Sequence, residues 1–388
     1  MRFSTLTILA AALVLCCGIF ASGALALDLL EWKTESGEKR TSLGRVVATA
    51  TDGSMLLFQE RTGEMHSITP DMVVRSLRDA RPFEPMTPDE VAKEYMEQLP
   101  GEFKLHKTAH YTILYSTSEE YARWAGILME RLYDTFESFW KKLGVDLAEP
   151  EFPLVIVIFA NMREYHDFAD DEMGGIGTDV IGYYNFMTNR VVCYDLSGSE
   201  TYAPDRASKP FRSVISEILS RPQAKKQVAT IIHEAVHQLA YNRGIAVRGG
   251  DTPLWFNEGI ALYFESPNFS NDYGWRGIGR VNPFRLPAFH DFLTRREPGE
   301  LKIFLTDDSL FTQAETVGDA YAEAWALTWF LIRSRPKEYA EYMRTLAKKK
   351  PLVGDSPEDR LADFEAAFGP VLDLDRTFTQ RMKKVKVR

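Results

Sequence analysis

Short segments with alternating hydrophobic and polar residues dominate the chain from residue 28 to about residue 81. Ser-Gly, Asp-Gly and Thr-Gly pairs separate these segments, and such pairs are typical of tight turns between strands. We therefore expect a small antiparallel β unit over residues 27–81, with a two-residue hairpin turn at Asp52-Gly53. The alternation predicts its strands at residues 29–32, 44–51, 55–59 and 65–69.

A cluster of prolines follows this unit and marks a linker over residues 82–100. A short helix is predicted within the linker at residues 88–98, with Thr87 as its N-cap. Because the β unit has its own turns and precedes a proline-marked linker, we expect it to be separable from the rest of the chain.

Beyond residue 100 the hydrophobic pattern changes between the strand period and the helix period. A strand at 109–115 precedes a long amphipathic helix at 118–143, and the apolar run at 153–160 is typical of a buried central strand. Residues 180–185 and 190–195 are predicted to form a β-hairpin. In the last part of the chain the pattern predicts helices at residues 319–333, 336–348, 357–368 and 372–385.

Residues 228–241 show the helix period, with an apolar face and a polar face. The polar face carries His233, Glu234 and His237, which form the pattern His-Glu-x-x-His. Because residues four apart lie on the same helix face, the two imidazoles can bind one zinc ion, with Glu234 beside them. The alternative is an accidental pair of histidines on a helix surface, and a third ligand would decide between the two. The apolar face contains Val228, Ile231, Ile232, Ala235, Val236 and Leu239.

A carboxylate is the natural third ligand, and several follow within reach in the sequence. Glu258 lies 21 residues after His237, early in a second apolar segment, so that a loop and a returning helix could bring it to the histidines. The rival candidates are Asp251, Asp272 and Glu265.

His-Glu-x-x-His followed by Asn257-Glu258-Gly259-x-Ala261 resembles the gluzincin zinc metallopeptidases, and most closely the peptidase-MA-like group of poorly characterised bacterial secreted proteins. The resemblance covers roughly residues 101 to 370 and implies an α+β domain over residues 101–388. That domain would contain a mixed sheet with an edge hairpin, a zinc helix and a C-terminal helical lobe. The preceding β unit weakly resembles Src-homology-3-like barrels, and we weigh a module that binds peptide or cell-wall material against a structural appendage.

The resemblance implies that Glu258 is the third ligand of one Zn²⁺ per chain, and that replacing Glu265 leaves zinc affinity nearly unchanged. Ala261 would let the second helix approach the first. Thermolysin-type relatives place a histidine-orienting carboxylate four residues after the glutamate ligand, but this chain has Leu262 there. The partner that orients the zinc-binding histidines must therefore come from elsewhere.

The implied reaction is hydrolysis of peptide bonds, with Glu234 as the general base and a zinc-activated water as the nucleophile. Tyr321 matches by position a tyrosine near the metal and is the first candidate to stabilise the oxyanion, although it could equally be a packed core residue. His290, Tyr183 and Tyr184 are further candidates. The alternative functions are an inactive peptidase-like binding protein of the cell envelope and a zinc amidase acting on cell-wall material.

The strand before the metal helix is an exposed edge along the cleft in gluzincins, and substrate backbone can add to it as a further strand. By position this implies that Arg190, Val191, Val192 and Cys193 contact the substrate. Cys193 is also expected to be a buried small residue and not a zinc ligand. The insertion at residues 196–222 is either a lid or a solvated loop.

Residues 1–26 have the order of a cleaved signal peptide. One basic residue precedes an apolar run, and Ala24-Leu25-Ala26 matches the small-x-small cleavage pattern. The run is too short and interrupted for a membrane anchor. Cys16-Cys17 would suggest a lipoprotein, but the residues before them are not small, so lipidation is not favoured. We expect a secreted or periplasmic protein with no stable membrane span after processing.

The net charge bears on the class of partner, and the cysteine count bears on disulfide formation. The formal net charge is -9, and removal of Arg2 with the signal peptide would make it -10. An acidic surface argues against a nucleic-acid partner, although it leaves room for a local basic patch. After cleavage Cys193 is the one remaining cysteine, so that no intramolecular disulfide can form. The expected partner is a peptide or protein substrate, with cell-envelope material as a further possibility.

Overall fold

The computed structural model describes residues 26–174, 180–195, 224–266 and 278–387. In these residues the chain has a mixed α+β fold with two five-stranded sheets and a helical C-terminal part. The predicted signal sequence and the insertion at 196–222 lie outside the described residues.

The first sheet is antiparallel throughout and has the strand order β4-β3-β2-β1-β5. The predicted antiparallel unit is confirmed, but β5 was not predicted as a strand, and its last residue, Pro82, lies in the expected linker. The loop at Asp52-Gly53 is also longer than predicted, because the backbone N–H of Ala50 bonds the Met55 carbonyl across four residues. The strands are β1 Ala26–Lys33, β2 Lys39–Thr49, β3 Leu56–Glu60, β4 Met65–Ile68 and β5 Val73–Pro82.

The second sheet is mixed and has the strand order β6-β7-β8-β10-β9. β7, β8 and β10 run parallel, while β6 and β9 pair antiparallel at the two edges. All six residues of β8 are buried, as the apolar run predicts for a central strand. The strands are β6 Lys104–Lys107, β7 Tyr111–Tyr115, β8 Leu154–Phe159, β9 Gly182–Asn185 and β10 Arg190–Tyr194.

This strand order corrects one sequence prediction, because β10 is not an edge strand. β10 lies between β8 and β9, with Val192 opposite Val157 on one side and Tyr183 on the other. Both sides of its backbone are therefore already paired. The edge strand on this side of the sheet, within the described residues, is β9, the other strand of the hairpin.

Helices connect and cover the second sheet and form the C-terminal part. In α1 the predicted N-cap is confirmed, since the Thr87 side chain accepts from the Glu90 N–H and Glu90 completes a capping box. The helices are α1 Pro88–Gln98, α2 Glu119–Lys142, α3 Met162–Met173, α4 Ala224–Asn242, α5 Leu254–Phe264, α6 Arg285–Phe292, α7 Leu301–Thr306, a 3₁₀ turn Asp308–Phe311, α8 Val317–Ser334, α9 Pro336–Leu346, α10 Pro357–Phe368 and α11 Val371–Met382.

One hydrophobic core spans the inner face of the second sheet and the C-terminal helices. Trp140 of α2, Trp255 of α5 and Trp325 of α8 are fully buried in it. No helix in the described ranges is long and apolar enough to cross a membrane.

The β unit packs directly against the rest of the chain. The Arg45 guanidinium donates to both carboxylate oxygens of Glu151 at 2.6 and 2.7 Å. The Phe152 ring closes over Gly63, where a Cβ atom would come within 2.8 Å of it. The Met65 N–H donates to the Met187 carbonyl at 2.8 Å. These contacts make the β unit part of the surroundings of the hairpin that contains β9.

Candidate metal centre

Helix α4 has the two faces that the sequence predicts. Its six predicted apolar residues are all buried, and none is more than 3% exposed. Gln238, which directly follows the second histidine, is also fully buried, and its Nε2 donates to the carbonyls of Val155 and Asn189 at 2.9 and 3.1 Å. The helix is thus fixed to β8 and to the hairpin, and its histidines project from the opposite face.

Helix α5 carries the Asn-Glu-Gly-x-Ala motif and packs closely on α8. A Cβ atom on Gly259 would lie 2.1 Å from Thr328 Oγ1 and 3.0 Å from the Ala324 carbonyl oxygen, so only glycine fits. Ala261 is fully buried as well. The small residues of the motif therefore allow α5 to sit deep in the core, with Glu258 directed at the histidines.

His233, His237 and Glu258 form one cluster, and they are the one group of potential metal ligands found in the described residues. The two histidine Nε2 atoms are 3.1 Å apart. Glu258 Oε2 lies 3.0 Å from His233 Nε2, and Glu258 Oε1 lies 3.6 Å from His237 Nε2. Ligand atoms at 2.0–2.2 Å from a tetrahedral ion are separated by about 3.3–3.6 Å. The three side chains are thus spaced as ligands of one metal ion.

The electrostatics of this cluster favour a positive charge at its centre. Burial holds back protonation of His233, but its hydrogen bonds with Glu258 and Glu265 outweigh that effect and raise the pKa of His233 well above its ordinary value. Burial also opposes ionisation of Glu258, but the neighbouring histidines outweigh it and lower the pKa of that carboxyl. A carboxylate and two converging imidazoles, all buried, form the donor set that a divalent ion such as zinc accepts.

Glu234 lies beside the cluster and outside its set of ligands. Its Oε2 accepts a hydrogen bond of 2.8 Å from the backbone N–H of Tyr184 in β9. Burial raises the pKa of Glu234, while the charges of both histidines act in the opposite direction. A buried carboxylate with a raised pKa, next to a candidate metal site, has the properties of a general base.

Glu265 is the partner that orients His233, which the sequence reading could not name. Its Oε2 lies 3.0 Å from His233 Nδ1, so Nδ1 donates the hydrogen bond to this carboxylate and Nε2 faces the cluster. Asn282 Nδ2 donates to the other oxygen of Glu265 at 2.9 Å, and Arg285 Nε lies 3.6 Å from that oxygen. Glu265, a rival for the third ligand position, thus contacts the ring nitrogen of His233 that faces away from the cluster.

The other two rival ligands do not enter the described cluster. Asp251 pairs with Arg360 at 2.6 Å and accepts from the Asp355 N–H at 2.6 Å. Asp272 lies outside the described residues.

Tyr321 is half-buried near the acidic side of the cluster. Burial raises its pKa, and the negative charges of Glu258 and Glu234, together with a side-chain interaction with Glu258, raise it further. The Arg285 guanidinium lies over the Tyr321 ring, 5.3 Å from its centroid. Tyr321 is therefore a protonated phenol close to both carboxylates of the site.

The remaining oxyanion candidates have other partners. His290 Nε2 lies 2.9 Å from the Met382 carbonyl and links α6 to α11. The Tyr183 hydroxyl donates to Glu172. The Tyr184 hydroxyl donates to Asn189 Oδ1 at 2.8 Å, so this residue reaches the site through its backbone N–H and not through its hydroxyl.

Arg190, Val191, Val192 and Cys193 are all buried on the internal strand β10, which leaves no free backbone edge for substrate. The Arg190 guanidinium pairs with Glu172 at 2.6 Å and lies 4.6 Å from the centroid of the Tyr95 ring. Burial raises the pKa of the Cys193 thiol to about 12, and its sulfur is not in the metal cluster. Cys193 is thus the buried small residue that the sequence predicts.

One missed residue had a signal in the sequence, and another did not. Glu265 follows Glu258 by seven positions, which is two helical turns, so both carboxylates face the same side. The Tyr184 backbone N–H is a donor that any residue would supply, and only the fold brings it to Glu234.

Residues 227–353 match a family described as a protein family of unknown function, DUF1570. The match includes the three clustered side chains, Glu234 and Tyr321. No curated protein matches the chain.

Proposed function

We propose that this chain is a secreted zinc metallopeptidase of the gluzincin type, which hydrolyses peptide bonds with Glu234 as the general base. The observation that carries the proposal is the convergence of His233, His237 and Glu258, with Glu234 buried beside them and outside the ligand set. A site built only to hold a metal has no need of that fourth residue.

His233, His237 and Glu258 would hold a zinc ion, which would supply Lewis-acid activation of a water and of the scissile carbonyl. Glu234 accepts the proton of the attacking water and later transfers it to the leaving amine. The Tyr184 N–H holds the Glu234 carboxylate in place for this transfer. Tyr321, a protonated phenol beside both carboxylates, donates to the developing oxyanion.

The substrate backbone would add to β9, because β9 is the outer strand of its sheet and Tyr184 within it contacts Glu234. This replaces the earlier assignment of β10. The residues of β9, Gly182–Asn185, therefore supply the peptide-binding edge in our proposal.

We further propose export through a cleaved signal peptide at residues 1–26, and a division into a β module at 27–81, a linker at 82–100 and a catalytic domain at 101–388. The meander of the first sheet, in which the last strand returns to pair with the first, supports the Src-homology-3-like resemblance. The proposed partner is a peptide or protein substrate, with cell-envelope material as a further candidate.

Two alternative functions use the same site. A zinc amidase would act on cell-wall amides, and an inactive binding protein would hold the metal without turnover. The presence of Glu234 favours an enzyme over a binding protein, because Glu234 is not among the metal ligands and metal binding alone does not require it.

Replacing Glu234 with Gln tests the proposal. The amide keeps the shape of the side chain and cannot accept the proton, so the variant should retain zinc and lose cleavage of casein by several orders of magnitude. Glu97→Gln, an exposed position on α1, is the control and should behave as wild type. Undiminished casein cleavage by zinc-loaded Glu234→Gln would refute the mechanism. Zinc binding without cleavage of casein by the wild type would favour the amidase or the binding protein.

A further inference from the structure

The turn between β9 and β10 is held from outside at four consecutive backbone carbonyls. The backbone carbonyls of a surface turn normally accept hydrogen bonds from water. Here protein groups donate to all four carbonyls, and these hydrogen bonds fix the position of the turn. The donors come from the β unit, from α1, from α4 and from the loop after α4. The Phe186 carbonyl accepts from Arg248 Nε at 2.7 Å, and the Met187 carbonyl accepts from Arg248 Nη2 at 2.9 Å and from the Met65 N–H at 2.8 Å. The Thr188 carbonyl accepts from the Tyr95 hydroxyl at 3.3 Å, and the Asn189 carbonyl accepts from Gln238 Nε2 at 3.1 Å.

The end of this turn is also strained and closely tied to the metal helix. Asn189 has a φ of 59°, a left-handed conformation that costs a non-glycine residue free energy unless its surroundings impose it. Its side-chain amide exchanges hydrogen bonds of 2.7 and 3.0 Å with Asn242 of α4. Neighbouring elements therefore fix the turn in addition to its own Asn185, whose Oδ1 accepts from the N–H groups of Met187 and Thr188 at 2.8 and 3.3 Å.

Tyr184 connects this turn to the general base. Its backbone N–H donates to Glu234 Oε2 at 2.8 Å, and its hydroxyl donates to Asn189 Oδ1 at 2.8 Å. A shift of the turn would move the Tyr184 ring and, with it, the strand that carries the N–H. The position of the turn thus sets the contact between β9 and Glu234.

Arg248 is the central donor in this arrangement. It is buried and makes no ion pair within the described part of the chain, yet it supplies two hydrogen bonds to neighbouring carbonyls. Burial of a charged guanidinium costs free energy, and in the described part of the chain its hydrogen bonds go to the carbonyls of this turn. Its rigid fork can hold two adjacent carbonyls at once, which an ammonium group does less well.

We propose that Arg248 is a positioning residue of the catalytic cleft, and that the β unit acts with it through Met65. Together they hold the β9–β10 turn so that the Tyr184 N–H stays on Glu234 and β9 stays aligned for the substrate. This inference rests on the proposed peptidase function. It also changes the expected role of the β unit, from a separable module to a support of the active site.

Arg248→Met tests the proposal, with Arg248→Lys as the conservative variant. The matched control is Arg335→Met, because Arg335 also donates to a backbone carbonyl, that of Phe368 in the C-terminal helices. The first readout is amide hydrogen exchange of residues 182–189 in the zinc-loaded protein. Loss of two buried hydrogen bonds should accelerate it about ten-fold or more in Arg248→Met and less in Arg248→Lys, with no change in Arg335→Met.

The second readout separates positioning from a merely structural role. Arg248→Met should keep one zinc per chain and lose about ten-fold or more in kcat on casein, with partial rescue by Arg248→Lys. If Arg248→Met does not fold, Tyr95→Phe removes the hydroxyl that donates to the Thr188 carbonyl, keeps the ring, and should accelerate the same exchange about three-fold. Unchanged exchange at residues 182–189 in a folded variant would overturn the proposal. Because exchange requires no substrate, an inactive wild type would refute the peptidase function and leave this readout intact.

Discussion

Glu265 should control zinc affinity although it does not touch the metal. The carboxylate accepts from His233 Nδ1 at 3.0 Å and its side chain is about 10% exposed. Loss of such a histidine partner typically weakens metal binding 10- to 100-fold, which corresponds to about 1.4–2.7 kcal/mol. The sequence motif alone predicts almost no effect, because it gives Glu265 no function.

Glu265→Gln should fall within this range, because an amide cannot satisfy both neighbours. If its oxygen faces His233, its NH₂ group meets the Nδ2 donor of Asn282. The side-chain amide of Asn282 cannot flip without losing hydrogen bonds, since its Oδ1 accepts from the N–H groups of Phe284 and Arg285 at 2.9 and 3.2 Å. Glu265→Ala, which removes the acceptor entirely, should reach the upper end of the range.

Competition with a chromophoric zinc chelator measures the change in the zinc dissociation constant directly. The matched control is Glu323→Gln, a buried carboxylate on α8 that pairs with Arg296 and has no contact with the histidines. It should lower stability without changing zinc affinity. A zinc dissociation constant for folded Glu265→Gln within two-fold of wild type would refute the role of this hydrogen bond.

Three further predictions follow from the same structure. Glu258→Ala leaves two protein ligands and should lower zinc affinity by orders of magnitude, whereas Asp251→Ala should retain zinc; equal retention after dialysis against a weak chelator would contradict the assignment. Gly259→Ala should lower the free energy of unfolding by about 1–3 kcal/mol, because its Cβ would meet Thr328 Oγ1. Gly318→Ala, where a Cβ meets nothing within 4 Å, is its control in chemical denaturation and should be neutral or stabilising. The intact mass of the exported protein should match a chain that starts near Leu27, and a mass that retains residues 1–26 or includes a lipid would contradict simple cleavage.

The sequence predicted best those elements whose hydrophobic period is strong. The long helix α2 and the central strand β8 bury a continuous apolar face or run, and both were placed within a few residues of their observed ends. Helix α4 had the same advantage, since six buried apolar residues share one of its faces. Because burial requires apolar residues at regular positions, these elements can be recognised from the sequence before the fold is known.

Elements with little burial were missed. β5 is exposed or half-exposed along its whole length, and β6 is a four-residue edge strand with lysine at both ends. α3 buries only Tyr165 and Ala169, so its apolar period is too weak to detect. Its caps did carry a signal, because Asn161 accepts from the Glu164 N–H and Gly174 ends the helix in a left-handed conformation.

The arrangement of the site was only partly predictable for a different reason. The spacing of the two histidines and the motif around Glu258 are local features, and the structure brings these three side chains together. The order of β8, β10 and β9 depends on how the chain crosses the sheet, and local patterns contain no record of it. The same holds for the Tyr184 N–H on Glu234, which joins residues 50 positions apart.

Anomalous diffraction from zinc-loaded crystals, recorded on both sides of the zinc absorption edge, would locate the metal. We expect one strong site per chain, with His233 Nε2 and His237 Nε2 at about 2.0–2.1 Å and a Glu258 oxygen at about 2.0–2.2 Å. Glu265 should remain on His233 Nδ1. Zinc bound elsewhere, or zinc at the histidines with Glu265 in place of Glu258, would contradict this assignment.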